Sequence, residues 1–167
     1  MTNEYIALPR ATSAPFDVVV VSTGAATLKT VLQVATPATT AIKLLGWGVS
    51  FDSSAAAQPG YAHLLETGTV AATVTTLTPD KWGNPQSPAS LCVGGTAATG
   101  YNASAEGTIT AVRSLDAEEV YPQSGYSLWW PEGHQPMVDI SAILRIRTKF
   151  PASINVIPWI IWAEPAV

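Results

Sequence analysis

Every apolar run in this chain is short, rich in β-branched residues and stopped by glycine or proline. "FDVVVVS" (16–22), "LKTVLQVA" (28–35), "AIKLLGWGVSF" (41–51), "YAHLLET" (61–67) and "VAATVTTL" (70–77) are the first five. "GTITAVR" (107–113), "YSLWW" (126–130), "AILRIRTK" (142–149) and "INVIPWIIWAE" (154–164) follow. Such runs suit pleated backbone, where branched side chains pack on a flat surface. No segment longer than about ten residues carries apolar positions at the three- and four-residue spacing of a helix. "LDAEEV" (115–120) has room for one helical turn at most. About eight antiparallel strands separated by Gly- and Pro-rich loops predict an all-β fold, specifically a jelly-roll-like β-sandwich.

Local punctuation refines this. Gly46 and Gly48 flank Trp47 inside the longest run, which predicts a bulge or the close approach of another backbone. Pro158 suggests an edge position for the last strand, and the last two runs read as a closing hairpin around "FPAS". Pro9 and Pro15 predict an irregular N-terminal arm over 1–16, leaving 17–167 as one sandwich domain. The stretch 79–105 is long and irregular, with three prolines. Loops of that length usually carry a function.

Charged residues make up 12% of the chain, about half the roughly 25% usual for a soluble domain. Little charge is available to cover a free surface, so copies of the chain or a partner are expected to cover part of it. The eight Lys and Arg residues are scattered, whereas nucleic-acid binding needs them clustered. Arg145, Arg147 and Lys149 alternate on one strand and therefore share a face, read as a solvated or inter-subunit face. Cys92 is the single cysteine; it offers no disulfide and reads as a small buried hydrophobe. No signal-peptide pattern or bilayer-spanning stretch is visible, which predicts use in a cytoplasm or in a particle assembled there.

The inventory for catalysis is thin. His63 and His134 are the two histidines; neither sits in a nucleophile motif or a close-spaced ligand motif. Calcium through Asp116, Glu118 and Glu119 lacks an EF-hand pattern. Neither a metal nor a cofactor is expected, and the chain is read as not an enzyme. The tryptophans are the remaining chemistry. Trp129 and Trp130 are adjacent in a strand and must point to opposite faces, so one of them awaits a cover. Interfaces are enriched in Trp, which favours a subunit contact; a sugar platform using Trp82, Trp129 or Trp130 is the alternative.

"LKTVLQVATPATTAIKLLGWGVSFDSSAAAQPGYAHLLETGTVAATVT", "GTAATGYNASAEGTIT" and "GHQPMVDISAILRIRTKFPASINVIPWIIWAE" resemble a group of small proteins of tailed bacteriophages, especially those of actinobacteria. The resemblance runs from about residue 22 onward. Group members often carry a basic residue at the place of His134, which speaks against a catalytic role there. These proteins resemble capsid decoration, or cement, proteins. That resemblance implies a β-sandwich homotrimer on the outside of a phage head, bound to the major capsid protein and assembled in the host cytoplasm. It brings no catalytic motif, and the scattered bases and the missing bilayer-spanning stretch lead to the expectation of no nucleic-acid and no membrane partner. Under this reading Tyr5, Ile6, Leu8, Pro9 and Arg10 are the candidate capsid contacts. Trp129, Trp130, Arg145, Arg147 and Lys149 are the candidate subunit interface.

Overall fold

The computed structural model describes residues 2–52, 58–110 and 112–165, and every regular element among them is a strand. In chain order these are β1 (Thr2–Ala7), β2 (Val21–Ser22), β3 (Lys29–Ala35), β4 (Ile42–Phe51), β5 (Gly60–Thr67), β6 (Thr73–Thr76) and β7 (Asp80–Lys81). They continue with β8 (Gly100–Ala105), β9 (Val112–Val120), β10 (Tyr126–Trp129), β11 (Met137–Val138), β12 (Ile143–Lys149) and β13 (Asn155–Pro165). Two antiparallel sheets result. A seven-stranded sheet has the order β10-β4-β13-β1-β7, with β11 beside β4 and β2 beside β13. A six-stranded sheet has the order β6-β8-β3-β12-β5-β9. The expected β-sandwich is therefore present, and consecutive long strands repeatedly change sheet, as β3, β4 and β5 do.

The core lies between the inner faces. Leu32, Val34, Leu64, Leu144 and Ile146 come from one sheet, and Tyr5, Ile42, Leu44, Trp47, Val49, Ile160 and Trp162 from the other; all are buried. Alternation along each strand produces this division, since successive side chains point to opposite faces. The "GWG" triplet has a specific geometry. Trp47 turns inward, while Gly46 pairs with Trp129 and Gly48 pairs with Trp159 on the outer face. A Cβ on Gly46 would lie 2.8 Å from the Trp129 ring, and one on Gly48 would lie 2.7 Å from both the Trp159 ring and the Tyr126 carbonyl. The glycines thus leave room for two indoles on the outside while a third fills the inside.

Several local expectations are corrected. The N-terminal segment is not an irregular arm over its first half. Thr2–Ala7 pairs with β13 from Thr2↔Pro165 to Ala7↔Ile160, and Tyr5 and Ala7 enter the core. Pro9 and Pro15 break pairing only beyond that strand. Residues 9–19 then fold back on themselves through Ala11 N–H to the Asp17 carbonyl (2.8 Å) and Val19 N–H to the Pro9 carbonyl (2.9 Å). "FDVVVVS" contributes only Val21–Ser22 as strand, with Phe16, Val18 and Val20 exposed. "LDAEEV", expected as a loop or helical turn, is the body of β9. The loop expected over 52–60 lies partly outside the described residues, as do Ala111 and the last two residues of the domain.

The closing pair is not a hairpin. β12 pairs with β3 and β5, whereas β13 pairs with β4 and β1 in the other sheet. Pro158 also sits in an interior strand. It is accommodated because β2 covers Asn155 and Val156 while β1 covers Ile160 to Pro165, which leaves Pro158 between their ends. The long stretch after β7 is held down rather than loose. Glu164 is buried, and its carboxylate accepts from Ser90 Oγ (2.6 Å), Leu91 N–H (2.9 Å) and Trp162 Nε1 (2.9 Å). Tyr5 Oη donates to the Pro88 carbonyl at 3.0 Å.

Gly48→Ala is expected to destabilise the fold by roughly 1–3 kcal/mol, the usual range for forcing atoms into a filled site. Urea denaturation of the variant against the native chain measures this directly.

Candidate functional site

The predicted interface residues divide between two surfaces. Trp129 ends β10 with half its area exposed (51%), stacked on Trp159 at 5.3 Å between ring centroids with a 37° tilt. The register extends this into a cross-strand row. Trp129 pairs with Gly46, Gly46 with Ile161, Ile161 with Ile6, and Ile6 with Asp80. Paired residues share a face, so Trp129 and Ile6, expected in two different contacts, lie on one apolar surface of the seven-stranded sheet. Trp130 lies outside it. It is half-buried against the core, and its N–H donates to the Leu45 carbonyl at 3.1 Å.

The basic triplet is on the other sheet and is not a common contact face. Arg145 is completely buried. Its Nη1 donates to the Glu106 carbonyl at 2.8 Å and its Nη2 to the Val70 carbonyl at 2.5 Å. Glu106 Oε2 lies 3.6 Å from Arg145 Nη1 and 3.5 Å from Arg147 Nη2. The same carboxylate accepts from the Thr30 N–H and hydroxyl, both at 2.6 Å. Gln33, also buried, donates to the Ala72 and Ala98 carbonyls and accepts the Ala72 N–H. The chain's own segments at 70–72 and 106 therefore cover the strand that carries Arg145. Only Lys149 of the triplet is exposed. Sequence alternation placed the three residues on one face, but it could not say that the same chain would lie over it.

The N-terminal candidates are likewise split. Tyr5 and Pro9 are buried, so neither presents its side chain to a partner. Ile6 and Leu8 are half-buried, and Arg10 is paired to Asp80 at 2.5 Å with its guanidinium 5.4 Å above the Phe16 ring. The exposed apolar groups of this region are instead Phe16, Val18 and Val20, on the folded-back segment.

One serine and one histidine do meet. His63 Nε2 and Ser114 Oγ are 2.8 Å apart across β5 and β9. Burial, and then the neighbouring Arg147, hold the imidazole pKa below its ordinary value. A nucleophile also needs its base oriented by a third group. Asp116, the acid closest in sequence, is engaged elsewhere: its Oδ2 accepts from Trp47 Nε1 (3.1 Å) and Tyr126 Oη (2.8 Å). The Ser114–His63 contact is a polar pair across β5 and β9. His134 is exposed in the turn after Pro131. Among the described residues, no group of three or more His, Cys, Asp or Glu side chains gathers to hold a metal ion, Asp116, Glu118 and Glu119 included. Cys92 is fully buried, and burial pushes its thiol pKa up.

Asp116, weighed from sequence only as a calcium ligand, has a different role. It brings an acid from the edge strand β9 onto two donors of the opposite sheet. The only signal for it was an acidic residue inside a run that also reads as a loop. Burial, and then the hydrogen bond to Asp116, push the Tyr126 hydroxyl pKa up to about 12. The chain matches no protein-family model, no curated protein and no solved structure.

Two measurements follow. Tyr126 ionises later in the folded chain than in the unfolded one, whose ordinary value is near 10. The proton-linked stability it contributes is complete below pH 10 and is lost as pH rises through about 12. Denaturation midpoints followed across that interval should fall, and Tyr126→Phe should flatten that part of the profile. Arg145→Ala should cost about 3–5 kcal/mol, because it leaves buried partners without their cation. Light scattering should find the variant's oligomeric state unchanged wherever it remains folded, since Arg145 contacts only its own chain.

Proposed function

We propose that this chain is a structural virion protein of the capsid-decoration type. In this reading it works without catalysis or a cofactor, on the outside of a tailed-phage head. Its partners are the major capsid protein and two further copies of itself in a homotrimer. The observation that carries the reading is the outer row Trp129–Gly46–Ile161–Ile6. Within it Trp129 is half exposed beside Trp159 and Ile6 is half-buried, while Ile161 is already covered by its own chain, and the chain has little charge to solvate what remains open. A row of this kind suits a contact between copies, since interface cores are depleted in charge and enriched in aromatic residues.

The folded-back segment of residues 9–19, with Phe16 and Val18 exposed and Val20 just beyond it, is the better capsid contact than Tyr5 or Pro9. A homotrimer presents three such segments together, so that individually weak contacts reinforce one another through effective concentration. The resemblance of the sequence to small phage proteins supports the same assignment. Assembly in the host cytoplasm and residence on the virion surface belong to it.

Mass spectrometry of purified particles should find this chain at high copy number on heads. Its absence from heads would overturn the reading. In solution the native chain should scatter light as a trimer. Trp129→Ala should shift it towards monomer with little loss of fold, because half of that side chain is exposed. A native chain that is monomeric at micromolar concentration would remove the trimer from the proposal.

A further inference from the structure

Trp82 follows β7 directly, is half exposed (51%) and opens onto a recess. A cleft of about 530 Å³ is lined by Pro79, Asp80, Lys81, Trp82, Pro85 and Ser90, among others. That volume lies within the roughly 300–1,000 Å³ span of small-molecule sites. The other two candidate platforms are less suited. Trp129 leans on Trp159, and Trp130 is packed against the core.

The walls of the cleft are fixed before any ligand arrives. β7 is paired to β1, and the Trp82 N–H continues that pairing onto the Glu4 carbonyl at 2.8 Å. Lys81 Nζ donates to the Pro85 carbonyl at 3.1 Å, which ties the strand to the opposite wall. Asn84 closes the turn between them, accepting Gln86 N–H at its side chain (2.9 Å) and Ser87 N–H at its carbonyl (3.0 Å). Ser90 is held by buried Glu164. A preformed recess spares a ligand the cost of ordering the loop.

The chemistry around the indole narrows the ligand class. Asp80 contributes a carboxylate steadied through Oδ1 by Arg10. Lys81 contributes an ammonium, and the prolines contribute apolar edges. Carboxylates accept from hydroxyls and the ammonium donates to them, while an indole face attracts the polarised C–H face of a pyranose ring. The Asp80 carboxylate would repel a phosphorylated or sulfated ligand, and a purely apolar one would strip water from the charged groups without replacing their hydrogen bonds.

We infer that the Trp82 cleft is a binding site for a neutral saccharide, with the ring stacked on Trp82 and its hydroxyls on Asp80 and Lys81. This is a function beyond capsid decoration: a chain fixed to a head would present the site to surface glycans. The test uses the native full-length chain on an array of uncharged mono- to tetrasaccharides of glucose, galactose, mannose and N-acetylglucosamine. Titration calorimetry on the retained sugars then follows. Trp82→Ala should weaken binding about tenfold or more, as loss of an aromatic platform does, and His134→Ala, in an exposed turn outside the cleft, should leave it unchanged. Asp80→Asn, a smaller change, should weaken it as well and serves as the reporter if Trp82→Ala does not fold. Retention of no saccharide, or equal binding by the native chain and the Trp82 and Asp80 variants, would overturn the inference. The particle content of the chain is a separate readout, so failure here does not bear on the decoration reading.

Discussion

Trp47 is the side chain around which the sandwich is organised. Its indole fills the space between the sheets, and a buried N–H without an acceptor would cost about 1–3 kcal/mol. Asp116 meets that need from β9, the edge strand of the opposite sheet, and takes the Tyr126 hydroxyl on the same oxygen. One carboxylate therefore joins β4, β9 and β10. The position of the Trp129–Trp159 pair depends on it indirectly, because Trp129 is the end of β10 and both indoles rest over the glycines that flank Trp47. Inside and outside of the seven-stranded sheet are set by the same three residues of β4.

The same device recurs with other acids. Glu164 fastens the stretch after β7 to the end of β13, and Glu106 fastens the segment after β8 over β3 and β12. Each carboxylate gathers several donors, and for Glu164, the buried one of the three, that is the condition under which a buried charge is tolerated. Three of the chain's twelve acids thus act as internal ties. This changes the meaning of the low charge content. The outside of the six-stranded sheet is covered in part by the chain itself, whereas the exposed Trp129, Phe16, Val18 and Val20 await a cover. Those are the surfaces on which a decoration role rests.

Much of the fold was legible because β-structure leaves a two-residue period in the sequence. The runs at 28–35, 41–51, 61–67 and 142–149 became β3, β4, β5 and β12 with small changes at their ends. The "GWG" triplet correctly announced a close approach of another backbone, the Leu128 and Tyr126 carbonyls beside Gly46 and Gly48, and two indoles crowd the same glycines. Misreadings arose where pairing was decided at a distance. β1 is a strand because β13 offers it a partner some hundred and fifty residues away. "LDAEEV" is a strand because β5 pairs with it and because the far sheet supplies two donors for Asp116. Polar residues inside a strand cannot announce partners that lie elsewhere in the chain.

The candidate surfaces follow the same division. By itself the sequence determined that the chain is all-β, which of its strands are long, and that Trp129 and Trp130 must part company, because these depend on the local alternation of side chains. Only the tertiary structure decided which tryptophan stays outside, that Arg145 is enclosed by its own chain, and that Trp82 opens onto a walled cleft. The physical reason is that exposure belongs to the packing of segments distant in sequence. Alternation assigns a residue to a face, and the assembled sheets and loops determine what that face meets.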